Sequence, residues 1–104
     1  MKLWVDDVRP APEGYIWCKS VVQAKYWVER VEYENRYVRD CSLELIDIDH
    51  DAGDYAKDGG DYIKLLDWLE ETGRSYPIRI HSANPVGVQN MLRIIHKNGW
   101  TELK

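Results

Sequence analysis

The sequence predicts an α/β domain with a mainly parallel sheet, and three observations support this. Short apolar runs typical of strands alternate with longer stretches that repeat apolar residues at helical spacing. Three of the predicted strands end in polar residues, as expected where parallel strands deliver side chains to one edge of a sheet. The 104 residues suffice for a single domain, 1–104, and are too few for two. We expect about four strands and three helices in the order β-β-α-β-α-β-α, with helices on both faces in three layers.

The predicted strands are short and apolar, and turn residues separate them. Between the first two strands, Arg9 to Gly14 contains two prolines and is predicted to be a loop without a helix. Pro77 opens the last strand, a position at which proline is tolerated. The predicted strands are Lys2–Val5, Tyr15–Cys18, Leu43–Ile48 and Pro77–His81.

The helices are predicted from apolar spacing and from capping residues. Ser20 and Gln23 form a capping-box pattern, so the first helix is expected to start there and to fade near Glu34–Asn35. Asn84–Pro85 supplies a cap and a first-turn proline for the last helix. The apolar faces contain Val21, Ala24, Val28 and Val31, then Tyr62, Leu65, Leu66 and Leu69, then Val88, Met91, Leu92 and Ile95. The segments 36–40 and 51–61 are polar and are predicted to be connections.

The composition excludes several classes of protein. A formal net charge of −4 disfavours an extended nucleic-acid surface, although one terminal phosphate can still be bound. Cys18 and Cys41 give neither a disulfide framework nor a metal-ligand spacing, so we interpret them as free, buried thiols in a reducing compartment. No segment resembles a signal peptide or a membrane span. We expect a cytoplasmic protein with no membrane partner.

Acidic residues follow the first and third predicted strands, as Asp6-Asp7 and as the Asp49-His50-Asp51 segment. Carboxylates gathered at neighbouring strand ends repel one another, and a hard divalent cation relieves that repulsion. We therefore predict that Asp6, Asp7 and Asp49 bind Mg²⁺ or another divalent cation, with Asp51 at the periphery. The alternative is that these residues are solvated loop acids and helix caps.

Other polar residues near the same edge are candidates for chemistry or for structure. His50 and His81 are candidates, with Asp49, for catalysis by proton transfer, or each histidine simply bonds local backbone. His96, on the last helix, is expected at the surface. Asp47 lies one pleat deeper than Asp49 in an apolar strand. It is interpreted as a buried structural carboxylate that pairs with a Lys, Arg or Tyr from a helix, and the alternative is that it joins the acidic site.

Three residues are predicted to bind phosphate. Arg9 is able to clamp a phosphate in bidentate fashion, or to neutralise the acidic pair beside it. Ser82 and Asn84 precede a helix, and the start of a helix is a favourable place for an anion. A capping role alone also explains Asn84.

These motifs resemble response-regulator receiver domains, and more specifically the cyclic-phosphate processing receiver domain family. They are LWVDDVRP at 3–10, IDHD at 48–51 and IHSANP at 80–85, and the similarity extends from residue 2 to about residue 98. The resemblance implies a truncated receiver-like, flavodoxin-like fold. In receivers the acidic pair binds Mg²⁺, the third Asp accepts phosphate and a Ser or Thr contacts the phosphoryl group, which corresponds to Asp6-Asp7, Asp49 and Ser82.

The sequence also departs from ordinary receivers. No helix fits between the first two strands, and no fifth strand with a phosphoryl-contacting lysine is predicted, so Lys104 is not assigned that role. Asp47 stands where the closer family is expected to have Ser. That family implies recognition of, or action on, cyclic phosphate ends of RNA or nucleotides.

The expected function is therefore metal-dependent handling of a phosphorylated small molecule or an RNA end, with hydrolysis of a cyclic phosphodiester as the leading hypothesis. Two alternatives remain open. One is a signalling module that is phosphorylated on Asp49, and the other is a non-catalytic interaction module. A homodimer is possible because a short sheet leaves strand edges free for pairing.

Overall fold

A computed structural model describes all residues 1–104 and contains one five-stranded parallel sheet with three helices. The elements are β1 (Lys2–Val5), β2 (Tyr15–Cys18), α1 (Val21–Tyr37), β3 (Leu45–Ile48), a 3₁₀ helix (Gly53–Lys57), α2 (Ile63–Glu71), β4 (Ile78–Ile80), α3 (Pro85–Lys97) and β5 (Glu102–Leu103). The strand order is β2-β1-β3-β4-β5, and every neighbouring pair is parallel. The α/β class and the three predicted helices are confirmed. No helix combines the length and the apolar character that a membrane crossing requires.

The sheet has five strands rather than the predicted four. β5 pairs with β4 through Glu102 opposite Ile78 and Leu103 opposite Arg79, and the Ile78 amide donates to the Thr101 carbonyl at 2.9 Å. A strand of two residues has no alternation that a sequence pattern can reveal. Its position is determined by where α3 ends and by the free edge of β4.

All three helices lie on the same face of the sheet, so the domain has two layers and the prediction of three layers is corrected. The connections β2 to β3, β3 to β4 and β4 to β5 all advance in the same direction across the sheet. Right-handed crossovers that advance in one direction place their helices on one face, and α2 packs against both α1 and α3. The connection that runs in the opposite direction, β1 to β2, is the predicted helix-free loop.

The main core lies between the sheet and this helical layer. The strands contribute alternate side chains and the helices contribute the predicted apolar faces, including Val21 and Val28 of α1, Leu66 of α2 and Met91 of α3. Ser20 caps α1 as predicted, because its Oγ accepts from the Gln23 amide at 3.1 Å. The helix continues to Tyr37, beyond its predicted end, and an ion pair between residues 30 and 34 spans its last turns.

The two cysteines differ in environment, which corrects the prediction that both are buried. Cys18 is fully buried, whereas Cys41 is only partly buried, and both are free. Burial raises the pKa of the Cys18 thiol to about 12.

We expect one thiol, that of Cys41, to react with iodoacetamide at pH 8 in the native protein. Cys18 should react only after unfolding, because its thiol is inaccessible and protonated. Intact-mass spectrometry with and without denaturant checks this. The Cys41→Ser variant is the control, and labelling of its native form would contradict the buried position of Cys18.

Candidate metal and phosphate site

The acidic residues lie at the carboxyl ends of β1 and β3, where the strand order reverses. The chain runs from β1 outward to β2 on one side, while β3 lies on the other side of β1. Ligands of open parallel sheets bind in the crevice at such a switch point. Asp6 and Asp7 directly follow β1, and Asp49 directly follows β3.

Asp6, Asp7 and Asp49 form one cluster, called here the acidic cluster. One carboxylate oxygen from each lies within 4.8 Å of the others. Asp6 is 1% exposed, and the other two are partly buried. Three carboxylates in this arrangement match the oxygen ligands that hard divalent cations prefer, so the cluster is able to bind such an ion.

Asp6 is fixed by hydrogen bonds from its own loop and from His81. Its Oδ1 accepts from the amides of Val8 at 2.8 Å and Arg9 at 2.9 Å, and its Oδ2 lies 2.9 Å from His81 Nε2. Burial alone raises the pKa of Asp6, but these hydrogen bonds and the nearby His81 outweigh burial and hold the pKa below its ordinary value. Asp6 is therefore ionised and pre-oriented.

The position of the Asp7 carboxylate depends on a glycine, Gly53, in the loop after β3. A Cβ on Gly53 would lie 2.4 Å from Asp7 Oδ2, and Gly53 has a φ of +55°. Glycine adopts this conformation without strain and leaves room for the carboxylate. The Gly53 backbone therefore sets how closely the loop approaches the cluster.

Gly53→Ala is expected to reduce the rise in melting temperature that Mg²⁺ or Mn²⁺ produces, because the new Cβ displaces Asp7. Forcing alanine into a positive φ also costs about 1–2 kcal/mol of stability. Gly73→Ala is the matched control, since Gly73 has a φ of +69° and no atom near its Cβ position. Thermal melts with a metal titration compare the two variants. An undiminished metal response in Gly53→Ala would show that Asp7 is not a ligand.

His81 lies between two buried carboxylates. Its Nδ1 is 2.6 Å from Oδ1 of Asp47 and its Nε2 is 2.9 Å from Asp6, and Asp47 is 1% exposed. Each ring nitrogen therefore lies within hydrogen-bonding distance of a carboxylate oxygen. The Trp4 ring stacks on the imidazole with centroids 3.8 Å apart and planes 6° apart. Neither ring nitrogen is free to contact a substrate.

Asp47 is structural, as interpreted from the sequence, but its partners come from β4 and from the residue that follows β4, and not from a helix. His81 is the close partner, and Arg79 Nη1 lies 3.8 Å from the other carboxylate oxygen. Residue 47 pairs with residue 79 across the parallel ladder, which places the two side chains on one face of the sheet. Strand periodicity identifies the face of Asp47 but not its neighbour, because the pairing of strands is a tertiary property.

His50 and Asp51 form a second pair at the same edge. His50 Nδ1 lies 2.8 Å from Asp51 Oδ1, and Asn84 Nδ2 approaches the same carboxylate at 3.3 Å. The hydrogen bond with His50 lowers the pKa of Asp51. The other ring nitrogen of His50, Nε2, has no hydrogen-bond partner in the chain. Asp51 lies outside the group of Asp6, Asp7 and Asp49, as its expected peripheral position implies.

Gly87 of α3 is the residue that makes room for the His50 ring. A Cβ there would lie 2.4 Å from His50 Cγ and 2.6 Å from Cδ2. No sequence pattern predicted this contact, because one glycine in a helix has several explanations.

The predicted phosphate-binding residues lie at the same edge and make local hydrogen bonds. Arg9 is exposed and its Nη1 donates to the His81 carbonyl at 2.9 Å. Ser82 Oγ accepts from the Asn84 amide at 3.1 Å, and Asn84 Oδ1 caps α3 by accepting from the Gly87 amide at 3.0 Å. The capping role of Asn84 is confirmed, and the phosphate contacts stay predictions.

Tyr62 lies near the cluster, whereas His96 lies away from it. Tyr62 is buried, and its hydroxyl donates to the Lys19 carbonyl at 2.7 Å. Burial and the nearby carboxylates of Asp7, Asp6 and Asp49 raise the pKa of Tyr62, so it is a neutral donor. His96 is exposed on α3 beside Glu102, as predicted.

A parallel sheet in the order β2-β1-β3-β4-β5 with three carboxylates at its β1/β3 edge defines a receiver-like domain. The model of the cyclic-phosphate processing receiver domain family matches residues 1–97, and the chain belongs to that family. It is thus a receiver-like domain of a family associated with cyclic-phosphate processing. Neither the curated proteins nor the solved structures include a significant match to the chain.

Proposed function

We propose that this domain hydrolyses 2′,3′-cyclic phosphate ends of RNA or nucleotides with the help of a divalent cation, Mg²⁺ in the first instance. The observation that carries the proposal is the position of the Asp51-oriented His50, with an unpartnered Nε2, directly after Asp49 of the acidic cluster. The pair supplies a proton acceptor at the edge where the carboxylates gather, and the family supplies the class of substrate.

Asp6, Asp7 and Asp49 would hold the cation. When bound there, it would neutralise the developing charge of a phosphoryl group. The set fits a hard cation because all its donors are oxygens, and because no Lys or Arg forms an ion pair with the cluster. Asp6 is already ionised and held by backbone amides, so little reorganisation is needed.

In the proposed reaction, His50 Nε2 accepts a proton from water as the water oxygen forms a new bond to phosphorus. The bond between phosphorus and one ribose oxygen breaks, and that oxygen takes a proton from solvent water, which leaves a phosphomonoester and a free hydroxyl. The proton on His50 then returns to solvent, so the imidazole is regenerated. Asp51 holds the ring through Nδ1 and stabilises the protonated imidazole, as a carboxylate partner of a catalytic histidine does. His81 serves as a positioning residue for Asp6.

The phosphate oxygens would be bound on the side opposite the carboxylates. The Arg9 guanidinium has free N–H groups beyond its single bond to the His81 carbonyl. Ser82 and the first turn of α3 present donors at the same edge, and the helix start favours an anion. Asn84 would act mainly through Asp51, which it contacts.

The test is hydrolysis of uridine 2′,3′-cyclic phosphate with Mg²⁺ or Mn²⁺, followed by phosphorus NMR. We expect a phosphomonoester product, no metal-dependent product from Asp49→Asn, and a loss of about 10²–10⁴-fold in kcat for His50→Gln. Asp54→Asn is the control, because Asp54 is an exposed acid of the nearby 3₁₀ helix outside the cluster. A cyclic ester that stays intact with both metals would overturn the proposal.

A second candidate is signalling through phosphorylation of Asp49, and β5 favours it. This strand completes the five-strand order and brings Lys104 to the sheet, although Lys104 makes no ion pair with the cluster. Treatment with acetyl phosphate followed by mass spectrometry would show an adduct on Asp49. An unmodified Asp49 would remove this candidate.

A further inference from the structure

One face of the sheet carries no helix, because each crossover places its helix on the other face. Alternation and the parallel register put two rows of side chains on this open face. They are Trp17, Trp4, Asp47, Arg79 and Leu103 in one row, and Tyr15, Lys2 and Leu45 in the other. Leu45 is buried yet lies outside the main core, as expected of a residue that faces away from the helices.

Aromatic side chains make up a large part of the open face. Trp4, Tyr15 and Trp17 are each only partly buried. Trp4 and Tyr15 meet edge to face, with ring centroids 5.9 Å apart. Partly exposed rings on an uncovered sheet offer flat surfaces on which nucleobases stack, and stacking is tolerant of base identity.

Cations accompany these rings, although the whole chain has a net charge of −4. Lys2 Nζ lies 4.9 Å from the centroid of the Tyr15 ring, and Lys19 Nζ lies 4.5 Å from the centroid of the Trp17 ring. Arg79 extends from the same face with 49% of its side chain exposed. Asp47 is the acidic residue in these two rows, and it is buried and paired with His81. The open face therefore complements a polyanion in a protein that otherwise repels one.

The open face is continuous with the acidic cluster. The Trp4 ring stacks on His81, and His81 Nε2 lies 2.9 Å from Asp6. The Trp17 indole donates to the Asp6 carbonyl at 2.7 Å. If the terminal phosphate of a nucleotide chain binds at Asp6, the nucleotides that precede it lie next to the indoles of Trp4 and Trp17.

We propose that the open face binds the bases that precede the terminal cyclic phosphate of a single-stranded RNA. This inference rests on the proposed function and specifies an oligonucleotide as the substrate. The 2′,3′-cyclic ester requires ribose, so RNA is the matching polymer. The face is small, so the contact covers a few nucleotides and depends more on stacking than on neutralisation of phosphates.

The first experiment measures binding of a 5′-fluorescein oligouridylate hexamer with a 3′-phosphate, by anisotropy, without any turnover. We expect Tyr15→Ala to weaken the Kd about tenfold, as loss of one stacking contact does. We expect Lys19→Gln to weaken the Kd as well, because it removes a cation beside Trp17. Tyr33→Ala is the matched control, since Tyr33 is an exposed tyrosine on α1, away from the sheet. Unchanged hexamer affinity in Tyr15→Ala would overturn the proposal.

The second experiment compares KM for a hexamer with a 2′,3′-cyclic phosphate and for uridine 2′,3′-cyclic phosphate. If the open face binds RNA, the KM for the hexamer should be lower than the KM for uridine 2′,3′-cyclic phosphate. In Tyr15→Ala, the ratio between these two KM values should be about tenfold smaller. Equal KM values with normal turnover would contradict the open-face proposal and would leave the proposed hydrolysis unaffected. Binding of the hexamer that depends on Tyr15, without turnover of either ester, would support the open-face proposal and contradict the proposed hydrolysis. Sedimentation that shows a Tyr15-dependent dimer with no RNA binding would assign the face to a second copy of the chain.

Discussion

His81→Ala is expected to lower the free energy of unfolding by about 3–5 kcal/mol, which is the usual cost of removing one partner from a buried ion pair. Asp47 is 1% exposed, and its contact with His81 is 2.6 Å long. Without the ring, the remaining partner of Asp47 is Arg79 at 3.8 Å, which is half exposed. Asp6 is affected less, because two backbone amides still donate to it. The main loss is therefore the orphaned charge of Asp47.

Urea unfolding followed by tryptophan fluorescence measures this loss. His96→Ala is the matched control, because His96 also faces a carboxylate, at 3.2 Å, but its side chain is 64% exposed. Exposed pairs of this kind contribute at most about 1 kcal/mol. Adding Asp47→Asn to His81→Ala should recover part of the loss, since the second change removes the unpaired charge. Equal, small effects of His81→Ala and His96→Ala would contradict the buried pairing.

Gly87→Ala is expected to lower kcat of the proposed hydrolysis about a hundredfold. The added Cβ would lie 2.4 Å from His50 Cγ, so the ring must move. A displacement of about 1 Å is enough to cost a factor of this size in a positioned catalytic group. Overpacking typically costs about 1–3 kcal/mol, and the higher helix propensity of alanine offsets about 1 kcal/mol of it. The protein should therefore stay folded while its activity falls.

Two measurements separate this prediction from a general defect. The side-chain imidazole signals of His50 in a nitrogen–proton NMR spectrum should shift in Gly87→Ala, whether or not the protein is an enzyme. Val86→Ala, an exposed position in the same helical turn, is the control and should leave both the spectrum and kcat unchanged. Normal turnover together with a displaced His50 would show that His50 is not the proton acceptor.

Local signals in the sequence predicted the elements well where each signal depends on neighbours along the chain. Ser20 and Asn84 cap their helices as predicted, because a cap needs only the next three residues. The apolar faces of the helices also pack as their spacing indicates, except that Val88 lies outside the main core. β5 was missed because two residues have no period, and its pairing with β4 is decided by the end of α3.

The convergence of Asp6, Asp7 and Asp49 was predictable for a different reason. Once the sheet is parallel, the carboxyl ends of its strands share one edge, so residues that follow adjacent strands must meet there. The orientation of individual side chains was not predictable in this way. His81 turns toward Asp47 and Asp6 because of contacts across strands that no spacing encodes. His50 turns toward its chain neighbour Asp51, which is also approached by Asn84 at the start of α3.

The sequence by itself determined the α/β class, the three helices and the acidic edge, since periodicity, capping and strand ends are local properties. The tertiary structure decided which face of the sheet stays open, which histidine is held between carboxylates and which keeps a free nitrogen. The physical reason is that crossover direction and strand pairing bring together residues far apart in the chain. Asp47 and His81, which meet at 2.6 Å across 34 positions of sequence, show this most directly.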